Sequence, residues 1–322
     1  MSATYSVIGL EIGGTKLQAT EGLSDGSIVR VLRAGVDRSR GAEGILAWFG
    51  EAVPDLLAHA RREGREPKAI GIGFGGPVEA ATGSVLVSHQ IQGWEGVELK
   101  SWFEDRFGLP TVIENDANAA GWAEYCKGLG RGTKNFFYMN IGSGIGGALV
   151  VDGRLYNGQG RGAGEIGHTW VPDWTADAPG MSDKLENLCS GWTIERRLRA
   201  LTSLEAGTPL HRLCDGDAQR LSCAMLAEAA QAGDDFALRE IKHVAETVAL
   251  AMANLITLFH PERIALGGGV ALMGAVLLRP LHQALEARVF GPYRGMYLLS
   301  GCELEEDVVT TGALLLAGEL TG

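Results

Sequence analysis

The chain has 322 residues, 46% hydrophobic and 21% charged, an ordinary globular composition with length enough for two domains. A formal net charge of -11 repels polyphosphate backbones and argues against nucleic acid as a partner, although backbone N–H groups can still hold a small anion at close range. No signal-like segment and no run of roughly eighteen apolar residues is visible, and the five cysteines are scattered without a C-x-x-C pair, so the expectation is a cytoplasmic protein with reduced thiols and no membrane partner.

In chain order, residues 6–11 read as a strand, Gly13 and Gly14 as a tight turn using the positive φ open to glycine, and residues 17–21 as the returning strand of a hairpin. Apolar Ile45, Phe49, Val53, Leu56 and Leu57 predict a helix over residues 42–63. A strand over 69–74 ends in Gly75, Gly76 and Pro77; a helix over 98–107 and a strand over 111–114 follow. Asn115 and Asp116 open an alanine-rich helix over 117–127. Strands over 136–141 and 148–151 flank a glycine turn at 142–147. The second half is mostly helical, over 192–201, 217–232 and 234–258, where His260-Pro261 ends the last helix because the residue before proline is pushed out of the α region. A strand over 263–266 runs into Gly267, Gly268 and Gly269, and a helix over 311–320 finishes the chain.

Glycine is the abnormal component, at 47 residues clustered at 9–14, 71–76, 142–147, 158–167 and 267–269. These clusters sit at the ends of β-rich runs, which implies turns whose backbone approaches something closely. Two of them match G-x-G-x-x-G, through Gly71, Gly73 and Gly76 and through Gly142, Gly144 and Gly147. A dinucleotide fingerprint must open a helix, and neither match does; no G-x-x-x-x-G-K-[ST] is present either. Gly9-Leu10-Glu11-Ile12-Gly13-Gly14 and Tyr138-Met139-Asn140-Ile141-Gly142-Ser143 repeat one strand–turn–strand device, which suggests two related lobes facing each other across a cleft. That resembles the device of the actin–hexokinase kinases, in which glycine hairpins lay N–H groups and a hydroxyl against ATP phosphates; the resemblance implies that role for Thr15 and Ser143.

Asp116 lies between a strand and a helix, where an Asp most often caps the helix. The same place is a strand's C-terminal edge, where ligands meet α/β sheets, and a helix N-terminus keeps a carboxylate ionised as a base must be. Together with Gly9 to Lys16, the segment Glu114-Asn115-Asp116-Ala117-Asn118-Ala119, Gly142 to Gly147, Gly164-Glu165-Ile166-Gly167-His168 and Gly267-Gly268-Gly269-Val270 resemble the ordered motifs of ROK-family (repressor, open reading frame, kinase) glucokinases, from about residue 7 to about residue 315.

The resemblance implies an α/β, two-lobed actin/hexokinase (ribonuclease H-like) fold with the active site in the cleft. The smaller lobe would take residues 1–118 completed by the C-terminal helix at 301–322, and the larger lobe residues 119–300. The implied activity is phosphorylation of the primary (6-) hydroxyl of glucose or a related hexose by ATP with Mg²⁺. Asp116 would be the general base; Gly76, Asn115, Glu165, His168 and Glu186 would bind the sugar. Glu11, Gly13, Gly14, Thr15, Lys16, Gly142, Ser143, Gly144, Gly267, Gly268 and Gly269 would hold the nucleotide, with Glu11 as the Mg²⁺ residue. A homodimer is the family expectation.

Two departures stand out. The first acid of the family's D-x-G-G-T is Glu11, and the family's structural zinc motif is missing: residues 171–186 contain no cysteine, and Lys184 stands where the third should be, so no zinc site is expected. Asp173, Asp177 and Asp183 read as solvated loop acids. The rival readings are a sugar-responsive repressor, whose N-terminal helix-turn-helix is not expected where the first strand starts so early, and a non-catalytic sugar-binding or regulatory protein.

Overall fold

The computed structural model describes residues 4–86, 88, 91–304 and 306–321. Its elements begin with strands β1 (Ser6–Ile12), β2 (Lys16–Leu23) and β3 (Ile28–Gly35), then helix α1 (Gly41–Arg62), β4 (Ile70–Phe74), the short β5 (Val78–Glu79) and β6 (Ser84–Val85), α2 (Leu99–Phe107), β7 (Thr111–Asn115) and α3 (Asp116–Lys127). They continue with β8 (Phe136–Ile141), β9 (Ile145–Val151), β10 (Arg154–Leu155), β11 (Trp170–Pro172), β12 (Ser182–Lys184), α4 (Leu185–Cys189), α5 (Gly191–Arg199), α6 (Pro209–Leu213), α7 (Cys223–Gln231) and α8 (Asp235–Phe259). The last are β13 (Arg263–Gly267), α9 (Ala275–Arg288), β14 (Leu298–Gly301) and α10 (Val308–Glu319).

Two five-stranded sheets result, in the orders β3-β2-β1-β4-β7 and β10-β9-β8-β13-β14. In the first, β1 pairs antiparallel with β2 and parallel with β4, which is parallel to β7. In the second, β13 is parallel to both β8 and β14. Each sheet therefore grows from a hairpin by two strands that follow helices, α1 and α2 in one case, α8 and α9 in the other, and a further helix leaves the last strand. The six-residue repeat seen in the sequence is the legible part of this duplicated topology.

The chain divides into two compact units: residues 1–132 with 148–163 and 303–322, and residues 133–147 with 164–302. In the first, β1 is buried along its whole length, and α1 turns Ile45, Phe49, Val53 and Leu56 into that core. Helix α10 packs against β1, β4 and α3. It comes so close that a Cβ on Gly71 would stand 1.9 Å from the Ala313 carbonyl oxygen, and one on Gly312 would stand 1.8 Å from that of Ala119. Gly71 thus serves helix packing, which accounts for its lack of a side chain. Helix α3 belongs to this unit, whereas the sequence reading draws its boundary at residue 118.

In the second unit, α8 packs on α9, α7 and α4. It is long and apolar enough to cross a membrane, but 56% of its most apolar window is buried in the protein, as befits a core helix. It ends at His260, which takes a left-handed φ of 44° ahead of Pro261.

Four local expectations change. Neither Gly13 nor Gly14 has a positive φ. Strand β3 was not expected, since Arg30 and Arg33 interrupt its apolar residues; as an edge strand it keeps those charges at the surface. Strand β9 starts at Ile145, so the second glycine turn closes within 142–144. The helix expected over 217–232 is a 3-10 turn at Ala218–Arg220 followed by α7.

Candidate active site

In the first unit the candidate residues gather at the ends of β1, β4 and β7. The β1–β2 turn is closed by the Gly13 N–H donating to the Lys16 carbonyl at 3.0 Å, and a side chain at Gly13 would press on that same oxygen. The Gly75 N–H, at the end of β4, donates to the Ile12 carbonyl at 2.8 Å. Thr15 at the tip is exposed.

Glu11 points from β1 into a nearly closed pocket of polar groups. Its Oε2 accepts from Gln18 Nε2 at 2.7 Å and pairs with Lys16 Nζ at 3.2 Å. Gln18 is held in turn by Arg33, and Arg33 by Asp307. Burial pushes the Glu11 pKa above its ordinary value, against the opposing pull of Lys16 and Gln18.

Asn115 and Asp116 divide their work differently from the sequence reading. The cap of α3 is Asn115, whose Oδ1 accepts from the N–H groups of Ala117 at 2.9 Å and Asn118 at 3.3 Å. Its Nδ2 donates to the Gly76 carbonyl at 3.1 Å, which leaves one amide hydrogen for another acceptor. Asp116 is the first residue inside the helix. Its Oδ1 accepts from the Ala117 N–H at 2.8 Å, and its Oδ2 lies over Gly75, where a Cβ would stand 3.4 Å from that oxygen and 3.5 Å from the Cα of Gly13. The carboxylate and the β1–β2 turn therefore meet above a residue that has no side chain to separate them.

Behind them lies a network the sequence reading missed. Buried Glu114 accepts from the Asn115 N–H at 2.9 Å and Asn118 Nδ2 at 3.0 Å through Oε1, and from Asn157 Nδ2 at 2.6 Å through Oε2. Glu114 and Asn118 were within the recognised motif; Asn157, some forty residues on, gave no signal.

In the second unit the turn between β8 and β9 is closed by the Gly142 N–H donating to the Gly144 carbonyl at 2.9 Å, while the Gly142 carbonyl accepts from the Gly191 N–H at 2.8 Å. Ser143 is exposed at its tip. Glu186, in the first turn of α4, accepts through Oε2 from the Ile145 N–H at 2.7 Å. A Cβ on Gly144 would stand 2.6 Å from that Oε2, and one on Gly167 would stand 2.1 Å from the Ile145 carbonyl oxygen. Ile145 is thus gripped between Glu186 and the Gly164–His168 loop, which ties the glycine turn to the residues read as sugar ligands. Gly268, at φ 86°, turns the chain after β13 where a Cβ would fall 2.5 Å from Asn140 Oδ1. Asn140, beside Gly142 and Gly268, is a further polar group that the sequence reading did not single out.

Glu165, His168 and Glu186 act on one another. Crowding around the Glu165 carboxyl strips it of water and raises its pKa; His168 opposes the rise and Glu186, a like charge, adds to it. His168 Nδ1 lies 3.2 Å from Lys184 Nζ. The residues here do not fit zinc: that nitrogen faces an ammonium, and among the described residues no group of three or more His, Cys, Asp or Glu side chains is placed to hold a metal. Asp173 and Asp183 are spent on local turns, through Thr175 and through the Lys184 N–H and Asn187.

Known proteins resemble the chain along most of its length. The sequence model of the ROK family matches residues 7–319. A glucokinase of Halalkalibacterium halodurans is 32% identical over 283 residues, 87% of this chain and 85% of that protein. The crystal structure of a ROK family glucokinase from Streptomyces griseus in complex with glucose and AMPPNP matches with a TM-score of 0.80 at 31% identity, over 98% of this chain and 99% of the other. A xylose repressor of Caldicellulosiruptor bescii is 25% identical over 287 residues, 88% of this chain and 71% of the repressor. The fold is the α/β, two-sheet fold of the actin–hexokinase group.

Proposed function

The chain belongs to the ROK family, and on that premise we propose that it is an ATP-dependent hexose kinase acting on the primary 6-hydroxyl of glucose or a related hexose. The observation that carries this reading is the division of labour at the start of α3. Asn115 caps the helix, and Asp116, whose Oδ1 accepts from the Ala117 N–H, sets its Oδ2 beside the glycine turn of β1–β2.

As general base, Asp116 takes the proton of the sugar hydroxyl while the hydroxyl oxygen attacks the γ-phosphorus; the bond to the leaving ADP oxygen breaks as the new P–O bond forms. Asn115 offers its remaining amide hydrogen to a ring hydroxyl, and Gly76 borders the same strand end. Glu165, His168 and Glu186 bind the hydroxyls at the anomeric end, because carboxylates accept the hydrogens that hexoses supply in number. Fixing the sugar in this way is worth much of the rate, since phosphoryl transfer depends mainly on position and charge.

The N–H groups of Gly14 and Gly144, the hydroxyls of Thr15 and Ser143 and the ammonium of Lys16 hold the ATP phosphates, with the N–H groups of Gly13 and Gly142 closing the two turns, while Gly267, Gly268 and Gly269 border the adenosine. Glu11 fits a magnesium ion that arrives with the nucleotide: Oε2 is taken by Lys16 and Gln18, but among the described residues Oε1 accepts no hydrogen bond. Bound there, Mg²⁺ supplies neutralisation of phosphate charge. None of the five cysteines is in a disulfide, which suits the reducing cytosol where ATP and hexoses meet.

A coupled assay with MgATP across glucose, mannose, fructose and N-acetylated amino sugars tests the reading and names the substrate. A second reading, a regulatory sugar-binding protein, draws support from the Lys16 ammonium that already pairs with Glu11. Such a protein binds a hexose and turns over no ATP.

A further inference from the structure

We propose that Lys184 is the positioning residue of His168: its ammonium holds the imidazole in the tautomer that carries hydrogen on Nε2, so that His168 presents a hydrogen-bond donor to the sugar. The observation is the 3.2 Å approach of Lys184 Nζ to His168 Nδ1. An ammonium has three donors and no acceptor, so Nδ1 must be the acceptor and cannot itself carry hydrogen; in a neutral imidazole the hydrogen is then on Nε2.

The backbone around this pair is fixed. Strands β11 and β12 place Trp170 opposite Lys184, the Leu185 N–H donates to the Thr169 carbonyl at 2.9 Å, and the Thr169 hydroxyl returns to the Ile166 carbonyl at 2.7 Å. Wholly buried Leu185 pins the junction of β12 and α4, and that junction delivers both Lys184 and Glu186. Among the described residues Lys184 makes no salt bridge with a carboxylate, so the imidazole is the ammonium's specific partner.

The consequence concerns recognition, and it rests on the reading of Glu165, His168 and Glu186 as sugar ligands. Two carboxylates provide acceptors only. A hydroxyl group has one hydrogen to give and lone pairs to satisfy, and the Nε2–H donor completes the set. Lys184 would then fix the imidazole through a single side chain, since the group bound at one ring nitrogen sets the tautomer at the other.

The test has two independent arms. Long-range ¹H–¹⁵N correlation spectra of the histidine rings, with His168 assigned as the resonance missing from His168→Gln, should show the Nε2–H tautomer in the natural protein and in Lys184→Arg. Lys184→Met, similar in length but without a donor, should show tautomer exchange. In the kinetic arm, KM for glucose should rise about three- to tenfold in Lys184→Met, the worth of one hydrogen bond, with KM for ATP within about twofold and Lys184→Arg close to the natural protein. Hydrogen on Nδ1 of the natural protein, or a tautomer indifferent to Lys184→Met, overturns the proposal. The spectra read the free protein, so they decide it even if no hexose is phosphorylated, and that failure would count against the kinase reading alone.

Discussion

Gly144→Ala probes the link between the glycine turn and the sugar residues. The new methyl would stand 2.6 Å from Glu186 Oε2, well inside van der Waals contact, and the carboxylate is the part able to move. Moving it strips the Ile145 N–H of its acceptor at 2.7 Å, in a residue that is 4% exposed. A lost hydrogen bond to a charged group costs about 1.5–3 kcal/mol. If the same carboxylate also holds the sugar, kcat/KM for the hexose should fall by about ten- to a hundredfold. Gly301→Ala, where the methyl meets nothing within 4 Å, is the matched control and should change stability by under about 0.5 kcal/mol. Glu186→Ala supplies the second half of a double-mutant cycle, read by steady-state kinetics and urea unfolding. Because the methyl acts through Glu186, adding Gly144→Ala to Glu186→Ala should cost little more. Full additivity of the two changes would refute the linkage.

Three further outcomes follow from the site. The raised pKa of Glu165 means that it takes up a proton at a higher pH than an ordinary glutamate, so the acid limb of kcat/KM for the hexose should lie above the usual carboxylate range and move in Glu165→Gln; activity falls with falling pH because protonation removes an acceptor. Glu11 holds its charge one methylene further from β1 than an aspartate would, and shares it with Lys16, so the natural protein should need unusually high Mg²⁺, Glu11→Asp less, and Glu11→Gln far more, measured as rate against Mg²⁺ concentration. Protein purified without chelators should contain clearly substoichiometric zinc by elemental analysis, whereas one tightly held zinc per chain would displace Lys184 from the role assigned to it.

The duplicated hairpins could be read from the sequence because each pairs a buried apolar strand with a glycine turn, a pattern carried by adjacent residues. Strand β3 could not, since an edge strand needs no continuous apolar face and its arginines mask the alternation. The start of α3 was located correctly, yet capping was weighed for Asp116 when Asn115 performs it; both residue types cap helices, and only backbone geometry separates adjacent candidates. The packing role of Gly71 was not legible, because a glycine required by a packed helix and one required by a phosphate are identical in sequence. The contacts of Asn157 with Glu114 and of Lys184 with His168 join distant segments, and no local pattern announces them.

The central claim is that Asp116 is the base of an ATP-dependent hexose kinase, and its most direct measurement is hexose-dependent ADP release by the natural protein and by Asp116→Asn. Asparagine keeps an oxygen for the Ala117 N–H, and Asn115 still caps α3, so the melting temperature should hardly change. Turnover should fall by about two to four orders of magnitude, the usual loss on removing a general base. Turnover that survives in Asp116→Asn, or its absence from the natural protein on every hexose offered, would contradict the account.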